Sequence, residues 1–187
     1  MQTLDALGLD RPDWIGHSFG GRLVIELAAR SPERVARAVL LDPAVWVPPA
    51  VAFARAEEER GDRSFASAAE AIELRRRSAR LAPDELLEEE MELHLVGGDD
   101  GRLRYRYAQS AVVAAYGELA KLPPLSGLAA TPTLIVRAPD GEVCPDAIVD
   151  LVRESLPAVE VVDVPGGHIV MWDALEETAA AVRNFLG

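Results

Sequence analysis

The stretch Gly16-His17-Ser18-Phe19-Gly20-Gly21 stands between two hydrophobic patterns of different period. Asp13-Trp14-Ile15 reads as the end of a short buried strand, and Leu23, Val24, Leu27 and Ala28 then recur at helical spacing. A chain that changes from strand to helix within so few residues must turn sharply. Glycines at 16 and 20 leave room for a tight, strained backbone and for close strand–helix packing. Such a turn lifts the Ser18 hydroxyl above the end of a strand. The helix that follows, starting near Gly20, directs its N-terminal N–H groups and dipole at any anion formed there. The strand–turn–helix context is what gives the serine chemical meaning. The structural alternative is a glycine-rich turn with a bystander serine.

Downstream, Thr131-Pro132-Thr133-Leu134-Ile135-Val136-Arg137 reads as a turn and a buried strand that ends in Ala138-Pro139-Asp140-Gly141. A carboxylate at the C-terminal end of a strand projects into the crevice where open parallel sheets bind ligands. A helix is expected from about Pro145 to Leu156, with the proline suited to its first turn. A strand from Val159 to Val164 follows, and then Pro165-Gly166-Gly167-His168, a glycine loop that brings an imidazole into reach of the serine.

These segments together resemble the C-terminal part of an α/β-hydrolase. Residues 16–21 resemble the nucleophile elbow, Val39-Leu40-Leu41-Asp42-Pro43 the next core strand, residues 132–143 the acid strand and its loop, Gly166-Gly167-His168 the histidine loop, and Trp172 to Leu186 the last helix. The order Ser18, Asp140, His168 is that family's order of serine, acid and histidine. The resemblance implies a partial α/β-hydrolase fold, a mostly parallel sheet flanked by helices, with residues 1–47 and 126–187 as core and 48–125 as a mainly helical cap. It implies that Ser18 attacks an acyl carbonyl, that His168 relays the proton, and that Asp140 orients the imidazole. The Phe19 backbone N–H would be an oxyanion donor. Asp42 is the alternative acid, since some members carry it after the preceding core strand; Asp42-Pro43 otherwise reads as a strand-ending turn. Asp146, Asp163 and Asp173 read as helix-start, strand and cap positions.

The implied activity is hydrolysis of an ester or related acyl compound through an acyl-serine, with no metal or organic cofactor and with a small-molecule acyl substrate. Carbon–carbon bond hydrolysis of diketones and perhydrolysis use similar machinery. Epoxide hydrolysis and dehalogenation are disfavoured, because relatives doing that chemistry carry aspartate where this chain has Ser18. Residues 1–8 look like the last turns of the helix before the elbow strand, so the family's earlier strands and its His-Gly oxyanion loop are expected to be missing from this sequence. The competing expectation is therefore an inactive fragment or a partner-binding module. An elbow strand left at a sheet edge also leads one to expect self-association.

The cap segment carries Arg75-Arg76-Arg77, expected as a solvated helix face paired with glutamates, with binding of substrate carboxylates as the functional alternative. Leu93 to Val96 and Leu103 to Tyr107 are expected to pair as a hairpin around Gly97 to Gly101, with Asp99-Asp100 as turn residues. Trp46, Phe53, Met91, Tyr105 and Tyr107 are candidates to line the pocket or fill the cap. With 19 basic and 31 acidic residues the net charge is −12, which argues against a basic nucleic-acid face and gives no attraction to anionic membranes. The single cysteine, Cys144, excludes an intramolecular disulfide. With no signal peptide and no apolar run of membrane-spanning length, a cytoplasmic location is the default expectation.

Overall fold

The computed structural model describes residues 2–187; Met1 lies outside them. Four parallel strands form one sheet: β1 (Trp14–His17), β2 (Ala38–Leu41), β5 (Thr133–Arg137) and β6 (Glu160–Asp163), in the order β1-β2-β5-β6. A two-stranded antiparallel hairpin, β3 (Leu95–Gly97) and β4 (Leu103–Tyr105), stands apart. The helices are α1 (Gln2–Leu7), α2 (Phe19–Arg30), α3 (Pro49–Arg60), α4 (Ala68–Arg75), α5 (Asp84–His94), α6 (Gln109–Leu119), α7 (Asp146–Ser155), α8 (Val170–Asp173) and α9 (Leu175–Leu186).

The two-residue period of the central strands decides how the layers stack. Ala38, Leu40 and Ile135 point to one face and pack with Val24, Ile25 and Ala28 of α2 and with Ile148, Val149 and Val152 of α7. Val39, Leu41, Leu134 and Val136 point to the other face and pack with Val170, Ala174 and the inner side of α9. Strands covered on both faces are continuous apolar runs, as β2 and β5 are. Each fully buried Leu or Ile among them contributes roughly 1.5–3 kcal/mol. In α2 the buried stripe is Val24, Ile25 and Ala28, whereas Leu23 is exposed. Strand β1 occupies an edge of the sheet, with Ile15 half exposed.

Between β2 and β5 the chain leaves the sheet. Helices α3 and α6 pack on each other, while α4 and α5 pack beside the hairpin around Phe65, Ala71 and Met91. Buried Arg22, on α2, holds both ends of this excursion: its guanidinium donates to the Val45 and Lys121 carbonyls at 2.9 and 3.0 Å and pairs with Glu26. The hairpin is shorter than expected because α5 runs on through His94, so Leu93 and His94 are helical and pairing begins at Leu95. The C-terminal helix is divided. Ala174 takes φ −143°, ψ 60° and separates α8 from α9. Among the described residues no helix is long and apolar enough to cross a membrane.

Candidate active site

Ser18 lies in the one-residue gap between β1 and α2, with φ 54° and ψ −122°. A non-glycine residue held there stores strain of order 1–3 kcal/mol, so its surroundings must hold it. They do so through the backbone: the Ser18 N–H donates to the Leu41 carbonyl, and the Ser18 carbonyl accepts from Gly21 and Ala44, each at 3.0 Å. Two glycines permit the close approach. A Cβ on Gly16 would stand 2.4 Å from the Gly20 carbonyl oxygen, and one on Gly21 would stand 2.7 Å from Pro43 Cβ. Gly20, expected to share that role, has nothing within 4 Å of a Cβ position. The crowding falls on Gly16, from the backbone of Gly20, and on Gly21, from Pro43 on the neighbouring strand's loop.

His168 follows β6 on the loop that leads into α8. Its Nε2 is 2.8 Å from Ser18 Oγ, and its Nδ1 is 2.7 Å from Asp42 Oδ2. An ionised carboxylate can only accept, so Nδ1–H donates to Asp42, and Nε2 is left to accept the serine hydroxyl proton. Asp42 immediately follows β2 and is fully buried. Its Oδ1 accepts the Ala138 N–H at 3.2 Å, and its own N–H donates to the Val136 carbonyl at 2.7 Å. Both carboxylate oxygens are thereby engaged, which is what a buried carboxylate requires.

The expected partner of His168 was Asp140, and here the structure corrects the sequence reading. Beyond β5 the chain folds into a tight turn closed by Gly141 N–H to the Ala138 carbonyl, and Asp140 is carried into solvent. Buried Arg137, which ends β5, helps set this course. It donates to Asp163 and Asp146 at 2.8 and 2.6 Å and to the Cys144 carbonyl at 3.1 Å. Asp146 and Asp163 are therefore partners of Arg137 and lie outside the serine–histidine array.

The loop bearing His168 is stitched down by Asp173, whose carboxylate accepts the backbone N–H groups of Gly167, Arg80 and Leu81. Gly166, at φ +106°, passes so close that a Cβ there would be 2.4 Å from Asp173 Cβ. The Ile169 N–H donates to the Ser78 carbonyl at 3.1 Å, so the segment after α4 is also tied to this loop. His17, at the end of β1, was missed as a site residue. Its Nε2–H donates to the His168 carbonyl at 2.9 Å, and burial lowers its pKa below the ordinary 6.5. The GHS sequence contained the signal: the residue preceding Ser18 at a strand end points into the same crevice.

Phe19 is the first residue of α2, so its N–H has no intrahelical acceptor. It is positioned one residue from Ser18, at the positive end of the helix.

The family model described as alpha/beta hydrolase fold matches residues 2–175. This chain belongs to the alpha/beta hydrolase family. It is 33% identical over 177 residues to the lipase LipV of Mycobacterium tuberculosis, covering 92% of this chain and 67% of the lipase. It is 28% identical over 190 residues to the N-formylmaleamate deformylase of Pseudomonas putida, covering 97% of this chain and 65% of the deformylase. Among solved structures, E-2-(acetamidomethylene)succinate hydrolase superposes with a TM-score of 0.81 at 22% identity, over 98% of this chain and 69% of that one, which is a likeness of fold. The chain thus spans about two thirds of the length of these relatives.

In this alpha/beta hydrolase two cavities meet at His168. One, of about 640 Å³, is reached from Ser18 and Phe19 and is walled by apolar groups that include Trp46, Val51, Val112, Leu119 and Ile148. The other, of about 700 Å³, is lined by His168 but not by Ser18, and its walls are mainly arginine, glutamate and tyrosine, with Leu74 and Val143 among them. Of the aromatic and sulfur candidates, Trp46 faces the apolar cavity, Tyr105 and Tyr107 face the polar one, Met91 is buried inside the excursion, and Phe53 is exposed. Cys144 is buried beneath the site, and burial pushes its thiol pKa up to about 12.

Proposed function

We propose that the chain is a serine hydrolase that cleaves an ester or related acyl compound through an acyl-serine intermediate. The observation that carries this reading is the continuous array Ser18 Oγ–His168 Nε2 at 2.8 Å and His168 Nδ1–Asp42 Oδ2 at 2.7 Å. A serine hydroxyl is a weak nucleophile on its own, and a neutral imidazole within hydrogen-bond reach is what activates it.

The steps follow from the donors and acceptors in place. Ser18 Oγ attacks the acyl carbonyl carbon while its proton passes to His168 Nε2. The imidazolium that results is stabilised by Asp42, which keeps Nδ1–H engaged and remains ionised throughout. The oxyanion of the tetrahedral adduct forms at the N-terminus of α2, where the Phe19 N–H is free to donate. A single such donor is typically worth a factor of about 10²–10³ in turnover. Collapse of the adduct breaks the bond to the leaving group, which takes the proton from Nε2. Water then attacks the acyl-serine, with His168 again as base, and releases the carboxylic acid and the Ser18 hydroxyl.

The cavity beside Ser18 suits the acyl portion, since its walls are predominantly apolar, with Arg55 and Glu142 the charged residues that line it. The relatives, named as a lipase and a deformylase, fit hydrolysis at an acyl carbonyl. The test is turnover of 4-nitrophenyl acetate and butyrate by the 187-residue chain. Release of nitrophenol that disappears in Ser18→Ala and falls by several orders of magnitude in His168→Ala is the expected result. A folded chain with no turnover above buffer would instead favour the inactive or partner-binding reading.

A further inference from the structure

The polar cavity beside His168 carries a charge opposite to that of the molecule. The chain has a net charge of −12, yet five arginines face this cavity against three glutamates. Three of those arginines are already neutralised: Arg55 by Glu58 and Glu142, Arg63 by Glu59, and Arg75 by Glu90. Neighbouring Arg76 pairs with Asp84. Among the described residues, no carboxylate lies within ion-pair distance of the guanidinium of Arg77 or Arg80. The one polar contact of these two guanidiniums among the described residues is a long one, 3.4 Å from Arg80 to the Asp140 carbonyl. The segment that carries both is fixed to the His168 loop by Asp173 and by the Ile169–Ser78 hydrogen bond. Two uncommitted guanidiniums are therefore held at the mouth of the catalytic histidine's own cavity.

The position of the cavity indicates which part of a substrate enters it. Ser18 and Phe19 hold the acyl carbon and its oxyanion, and both border the apolar cavity. His168 protonates the leaving group; it borders both cavities, and unlike Ser18 and Phe19 it reaches the arginine cavity. Guanidinium forks match carboxylates bidentately and raise the local concentration of anions by their field. Resting on the acyl-transfer reading above, we propose that the alcohol or amine half of the substrate bears a carboxylate, bound by Arg77 and Arg80, while an uncharged acyl group fills the apolar cavity.

The matched pair 4-acetoxybenzoate and methyl 4-acetoxybenzoate, followed by release of the phenol from the acetyl ester, tests this, since both carry the same acyl group and only the first bears a carboxylate on its leaving half. The ratio of their kcat/KM values is measured for the wild-type chain and for Arg77→Gln/Arg80→Gln. Comparing ratios between proteins cancels the esters' intrinsic reactivity. Both arginines are exposed, so the double variant should melt like the wild type. A fall of tenfold or more in the anionic-to-neutral ratio, with the wild-type ratio itself falling as salt is raised, is the expected result. An unchanged ratio, with the neutral ester still hydrolysed, overturns the assignment and leaves the hydrolase reading standing. Should neither ester be turned over, calorimetric titration of the chain with 4-hydroxybenzoate decides the assignment independently of catalysis. Binding weakened tenfold in the double variant supports it, and no binding, or binding equal in the two proteins, overturns it.

Discussion

The imidazole rings of His17 and His168 lie 4.7 Å apart, and the first donates from Nε2 to the backbone carbonyl of the second. In the proposed mechanism His17 is a positioning residue: it would touch no reacting atom, but it braces the residue whose ring faces Ser18. His17→Ala is expected to lower kcat by about 10- to 100-fold, with KM changed much less, because an ångström of misplacement in a catalytic base costs about that much. Steady-state kinetics on 4-nitrophenyl butyrate checks this; a KM effect with kcat intact would assign His17 to substrate binding instead.

The same residue gives stability a pH dependence. Burial holds the folded-state pKa of His17 below 6.5, so the unfolded chain binds its proton first as pH falls. Stability is therefore full above about pH 6.5 and declines on acidification until the folded-state value is passed. Urea unfolding followed from pH 7.5 to 5.5 should show this loss. The slope should be shallower in His17→Gln, which keeps a side-chain donor but cannot titrate.

Asp173 gathers three backbone N–H groups from two separate segments. Asp173→Ala leaves them without that acceptor and frees the His168 loop. It is expected to cost about 1–3 kcal/mol of stability and to lower kcat together with it. Thermal melts and turnover on the same preparation check both effects.

Cys144 is fully buried, with its thiol pKa pushed up to about 12, and so is protonated and inaccessible at neutral pH. Ellman's reagent should titrate no thiol in the native chain and one per chain in denaturant.

The meeting of Ser18 and His168 was legible in the sequence because each sits in a local pattern, the elbow glycines and the Gly-Gly-His loop, that needs no knowledge of the neighbours. The carboxylate partner of His168 was harder to read. Asp42 and Asp140 both follow buried parallel strands that pair side by side. Which one reaches the imidazole depends on the path of the chain after the strand. Asp42 directly follows Leu41 and is turned inward, whereas the turn closed between Ala138 and Gly141 sends Asp140 out. That turn is set by Arg137 gripping Asp146 and Asp163, contacts 9 and 26 residues away that no local pattern reports. Gly20 was misread because the crowding falls on Gly16, from the Gly20 backbone, and on Gly21, from Pro43 of another strand's loop. The arginine run was expected to be a paired surface face. Arg75 and Arg76 are paired, and only the packing of their segment on the histidine loop distinguishes Arg77.

The assignment of the acid has a direct comparison. Asp42→Asn should reduce turnover by about 10⁴-fold, since the amide favours the wrong imidazole tautomer, while Asp140→Asn should stay within about twofold of wild type. Kinetics on the two variants check this, and the reverse ranking would restore Asp140 as the acid.

The central claim is that His168, held by Asp42, makes Ser18 a nucleophile. Intact-protein mass spectrometry after exposure to a fluorophosphonate tests it most directly. The expected result is a single adduct that maps to Ser18, absent in Ser18→Ala and slowed by orders of magnitude in His168→Ala. An unmodified folded chain, or an adduct that persists in Ser18→Ala, would contradict it.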